Sequence, residues 1–80
     1  MNLDQYEGVK VADMIRVLRN LGYRQVRSSG NKMRFFAKDG GESLPLPYDP
    51  EEEMFPKVVW WTLNLIRLPD EEFAKLRRGV

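Results

Sequence analysis

The chain of 80 residues has no cysteine and no histidine. The first absence excludes disulfide staples, a thiol nucleophile and thiolate-held zinc. The second removes the side chain best suited to proton transfer near neutral pH, so serine–histidine and cysteine–histidine pairings are excluded too. There is no glycine-rich phosphate loop, and no cofactor is expected. No apolar run is long enough to span a bilayer, and the start (Met1, Asn2, Leu3, Asp4) is too polar for a secretory signal. No membrane partner is therefore expected, and cytoplasmic residence is the default expectation.

Acids are scarce in one long stretch. From Lys10 to Lys38 there are eight basic residues (Lys10, Arg16, Arg19, Arg24, Arg27, Lys32, Arg34, Lys38) against the single acid Asp13. From Asp39 to Pro56 the balance reverses, with six acids and no base. The net charge of +1 hides this segregation. A basic half produces a local field that favours a polyanion, although a solvated charged surface has the same composition.

What is present suits one small globular domain over residues 1–80: 42% of residues are hydrophobic and 31% charged. A chain this short buries roughly 60% of its unfolded surface, so stability on the order of 5 kcal/mol is expected. Val11, Met14, Ile15, Leu18 and Leu21 recur at helical spacing and Gly22 supplies a C-terminal stop. No Ser, Thr or Asn precedes this helix to cap it. Residues 23–28 read as a strand with Val26 inward, followed by a turn at Ser29, Gly30 and Asn31. Residues 32–38 alternate most clearly: Met33, Phe35 and Ala37 are expected to face the core, and Lys32, Arg34, Phe36 and Lys38 the solvent. A turn at Asp39, Gly40 and Gly41 leads to a third strand over 43–47, placed at a sheet edge by Pro45. Pro56 and Pro69 open two further helices. The fold class expected is α+β, in the order α-β-β-β-α-α, with a three-stranded antiparallel sheet and helices on one face.

Two surfaces follow. Lys32, Arg34 and Lys38 on the open sheet face, with Arg24 and Arg27 nearby, are candidate phosphate contacts for a nucleic acid, with Phe36 among them to stack on a base. The second helix is apolar almost all round, so Val58, Trp61 and Leu65 form a flank left for a partner, unless Phe73 and Leu76 of the last helix cover it. Asp49, Glu51, Glu52 and Glu53 do not read as a metal site, because consecutive carboxylates do not converge on one ion without a dedicated loop. They are expected to form a solvated loop opposing the basic face.

Several short motifs occur in a shared order: Leu21-Gly22-Tyr23, then Arg27 with Gly30, then Asp39-Gly40, Leu44-Pro45-Leu46-Pro47, Phe55-Pro56-Lys57 and Glu71-Glu72-Phe73. Together they resemble the HicA-type toxin family, small RNA-cleaving proteins (mRNA interferases of toxin–antitoxin systems) whose fold is like the double-stranded-RNA-binding domain. The resemblance runs from about Val9 to Leu76. It implies a dsRBD-like fold, an RNA partner and a HicB-like antitoxin. The family's Gly-Ser-His is here Gly30-Asn31-Lys32, so Lys32 occupies the position of the catalytic histidine. The expectation is therefore an RNA-binding module that is catalytically silent or diverged. Two alternatives stand beside it. One is a protein-interaction domain working through the Val58/Trp61 flank, by antitoxin binding or self-association. The other is an RNase in which lysine, tyrosine or a metal replaces histidine.

Overall fold

In a computed structural model of the protein, residues 3–78 are described. After a 3-10 turn at Asp4–Tyr6 come α1 (Val11–Asn20), β1 (Arg24–Ser29), β2 (Met33–Ala37), β3 (Leu44–Pro47), α2 (Pro56–Leu65) and α3 (Asp70–Arg77). The strands form one antiparallel sheet in the order β1-β2-β3. This is the α-β-β-β-α-α domain that the sequence pattern implies, with the Pro45 strand at an edge.

The helix α1 buries Val11, Met14, Val17 and Leu18. Its missing side-chain cap is replaced from a distance. The carbonyls of Glu52 and Pro50 accept from the amides of Val11 and Ala12, both at 2.9 Å, while the Asp13 carboxylate accepts from the Lys10 amide at 3.1 Å. Two otherwise orphaned donors at the helix start are thus satisfied by the backbone of the acidic loop. Lys10 holds that loop further through Glu51 at 3.4 Å. The acidic segment therefore docks on the start of α1 and does not oppose the basic strands.

Both α1 and α2 end in the same paired arrangement. Gly22 (φ 95°) donates to Arg19 and Tyr23 to Leu18; Arg67 (φ 55°) donates to Asn64 and Leu68 to Leu63. Such a stop needs a left-handed residue, which suits glycine and costs an arginine about 1–2 kcal/mol. Glycine gives back roughly 0.5–1 kcal/mol through its freer unfolded chain. Arg67→Gly is accordingly expected to stabilise the domain by about 0.5–1 kcal/mol, read from the urea midpoint.

The sheet has a register that reverses one expectation. Phe36 pairs with Leu44 and Gln25, and Arg34 with Leu46 and Ser28, so these residues share one face. On that face Phe36 and Leu46 are fully buried and Leu44 nearly so. They join Met14, Leu18, Val59, Leu63 and Phe73 in a single core, which puts the helices on this side. Met33, Phe35 and Ala37, expected inward, lie instead on the open face with Arg24, Arg27, Pro45 and Pro47. Val26 is also displaced. A bulge between Gln25 and Arg27 leaves it unpaired and 57% exposed.

The last helix carries acids in its first turn and Lys75 and Arg77 in its last, complementing its dipole. It packs mainly on α1, with Phe73 buried and Leu76 against the core. Arg77 clamps this pair: its Nε lies 3.6 Å from the Asp13 carboxylate, and its guanidinium donates to the Gly8 carbonyl at 3.0 Å. No described helix is long and apolar enough to cross a membrane.

Candidate nucleic-acid interface

The whole of β1 is exposed, on both of its faces. It is the edge strand that the helices do not reach. Arg24 stands opposite Ala37 and Arg27 opposite Phe35, so both guanidinium groups rise from the open face. The Arg27 guanidinium carbon sits 4.2 Å from the centre of the Phe35 ring. That stacking holds one cationic plane flat against an aromatic one, beside the half-buried Met33 and Ala37. Arg19, from the end of α1, lines a shallow hollow with Gly22, Tyr23, Arg24 and Gln25. It extends the basic rim beyond the strands, a role that its place in a helical pattern does not disclose.

Lys32 and Lys38 occupy the two ends of β2. Lys32 is exposed in the turn closed by its own amide donating to the Ser29 carbonyl at 3.1 Å, with Gly30 at φ 55°. Lys38 is also exposed and places its Nζ 5.8 Å from the Tyr23 ring centre. By the alternation of the strand both point toward the helical side, but they lie past the ends of its cover.

Two of the sequence-derived contacts are displaced from this surface. Phe36 has no exposed surface and cannot stack on a base. The aromatic among the cations is its neighbour Phe35. Arg34 is held within the fold: its Nε donates to the Tyr48 carbonyl at 2.8 Å, a terminal nitrogen donates to Gln25 at 3.2 Å, and its guanidinium stacks 4.3 Å from the Tyr48 ring centre. It ties the end of β3 to β1 across β2.

The electrostatics separate the cations into two groups. Lys10, Arg16 and Arg77 are paired with Glu51 or Asp13. The other described cations make no ion pair with a described carboxylate, and of these Arg19, Arg24, Arg27, Lys32 and Lys38 lie on or beside the β1–β2 hairpin. Nor do the acids gather elsewhere into a site, since no described group of three or more is placed to hold a metal ion.

The second candidate surface is on α2. Val59, Thr62 and Leu63 face inward and Trp60 packs partly against the core. Val58, Trp61 and Leu65 remain 39%, 47% and 48% exposed, because α3 lies over α1 and leaves them bare. Phe55, at the N-terminal end of the same flank, is 77% exposed. Comparison of the chain with family models, curated proteins and solved structures finds no match.

Proposed function

We propose that this domain is a HicA-like RNA-binding module that contacts phosphates through the β1–β2 hairpin. The observation that carries the reading is the unneutralised row of cations along an exposed strand. Arg24 and Arg27 stand on the open face, Lys32 and Lys38 lie just past the ends of β2, and none of the four makes an ion pair with a described carboxylate. Polyanion binding gains from such an arrangement because each neutralised phosphate releases condensed counterions. Phe35, already stacked under Arg27, adds a ring on which an unpaired base can lie. Cleavage is not part of the reading, since Lys32 stands exposed where the family it resembles has histidine. A HicB-like antitoxin and a cytoplasmic setting belong to the same proposal and rest on the family resemblance.

Titration of a fluorescent single-stranded RNA between about 50 and 300 mM salt tests it. Affinity should fall steeply with salt. In the double variant Arg24→Ala/Arg27→Ala, the log–log slope should flatten by roughly 0.7–0.9 for each phosphate left without its arginine. Lys10→Ala, which removes a cation already paired with Glu51, is expected to leave the slope unchanged. An unchanged slope in the double variant would rule out this face as the binding site.

A further inference from the structure

We infer that the exposed flank of α2 is a self-association surface, on which two copies of the chain pair with their α2 helices antiparallel about Trp61. The inference is independent of RNA binding. Val58, Trp61 and Leu65 recur at i, i+3 and i+7, the spacing with which one helix presents a seam to another. With Phe55 they expose on the order of 400 Å² of surface, an ordinary size for the largest apolar patch on a monomer and one that is often functional.

The seam is complementary to itself. Its N-terminal half is concave: Phe55, Lys57, Val58, Trp60 and Trp61 enclose an apolar groove. Its C-terminal half presents Leu65 as a projection, 48% exposed. An antiparallel twofold axis at Trp61 sets Leu65 of one copy level with Lys57 of the other, at the groove, and does so twice. That reciprocity is what an isologous interface requires. Charge selects the same direction. Lys57 is the only charged residue in α2, and a parallel pairing would put it beside its own mate. The antiparallel pairing separates the two ammonium-bearing positions by about 12 Å along the helix axis. Two such patches bury about 800 Å² in all, the size of a weak, transient interface, so a dimer with Kd on the order of 100 µM or weaker is expected.

Sedimentation equilibrium from about 1 µM to 1 mM should show the 9.4 kDa monomer giving way to a species of twice that mass. Trp61→Glu should raise the dimer Kd by at least about 30-fold, as removal of a central tryptophan anchor does. Leu65→Lys, at a comparably exposed position that keeps the tryptophan, provides the same readout should the tryptophan variant fail to fold. The register is read by disulfide trapping, which the chain's lack of cysteine makes clean. A mixture of Lys57→Cys and Leu65→Cys proteins should cross-link faster than either alone. A mass of 9.4 kDa at every concentration would overturn the proposal and assign the flank to another chain or to none. Dimers that survive both Trp61→Glu and Leu65→Lys would overturn it equally.

Discussion

Phe36→Ala is expected to leave the protein at the edge of unfolding at room temperature, with up to about half of it unfolded, whereas Phe35→Ala should leave it folded. The two residues are adjacent in β2 and identical in type, so only the face of the sheet distinguishes them. Phe36 has no exposed surface and sits in the core with Leu44 and Leu46 from β3 and with Met14 and Leu18 from α1. Truncating a phenylalanine in such a place costs about 3–5 kcal/mol, the lost transfer energy plus the cavity left behind. That is close to the whole stability expected of a domain this size, on the order of 5 kcal/mol. Phe35 is partly exposed on the opposite face and touches the Arg27 guanidinium. Its removal forfeits part of a burial and one cation–π interaction, together about 1 kcal/mol. Circular dichroism and urea titration of the two variants decide the matter. A folded Phe36→Ala beside an unfolded Phe35→Ala would mean that the sheet carries the opposite face inward.

The same pair shows where the chain is legible and where it is not. A period of two identifies β2 as a strand, but counting residues chooses the wrong face. Lys32, Arg34 and Lys38 outweigh Phe36 only if every cation needs an open, solvated face. Arg34 does not: its long stem runs along the sheet and its head reaches the Tyr48 carbonyl and ring at the rim. Lys32 and Lys38 lie beyond the helices' cover, so only position 36 on that face is under the core. The better signal is one strand away. Leu44 and Leu46 alternate with Pro45 and Pro47, and the leucines pair with Phe36 and Arg34. A leucine face beside two prolines fixes the buried side of the sheet without reference to charge.

The helices are easier to read, because a stripe of apolar residues at 3.6-residue spacing has only one way to face a core. That is why Val11, Met14 and Leu18 of α1 fall where the periodicity puts them; in α2, apolar almost all round, the buried positions are Val59, Thr62 and Leu63. The exposed flank at Val58, Trp61 and Leu65 follows from the same rotation, one residue further round. Features carried by long-range backbone bonds leave no such trace. The capping of α1 by the carbonyls of Pro50 and Glu52 joins segments far apart in the chain, and no side-chain type announces it. The bulge at Val26 is equally silent, since it turns on which partner amide is skipped, not on residue identity. For the candidate site, the cations Arg24, Arg27, Lys32 and Lys38 are readable from charge alone. Phe35 and Arg19 are not, because their place on the rim depends on that register and on where α1 ends.

Alkali should destabilise the domain steeply between about pH 10 and 12 through Tyr6. This residue is 4% exposed, with its ring edge-on to Phe73 at 6.5 Å and its hydroxyl donating to the Asp70 carboxylate at 2.7 Å. Burial, and then the hydrogen bond to Asp70 and that carboxylate's charge, push the phenol from its ordinary 10.0 up to about 12. The folded protein thus keeps a proton that the unfolded chain releases near pH 10. Over that window the unfolded state binds fewer protons, so stability falls as pH rises. The contribution is complete below pH 10 and is lost as pH passes through about 12. Its size is bounded by about 1.4 kcal/mol per pKa unit and is reduced by solvent at the part-buried hydroxyl, giving on the order of 1–2 kcal/mol. Comparison with a Tyr6→Phe protein isolates the contribution of Tyr6, since every other group is common to the two proteins. At about pH 8 the Phe variant should be less stable by roughly 1.5–3 kcal/mol, the worth of a hydrogen bond to a charged group. By about pH 12 the two urea midpoints should have converged. Midpoints that fall in parallel across that window would show that the Tyr6 hydroxyl is not held by Asp70, and that α3 rests on Phe73, Leu76 and Arg77 instead.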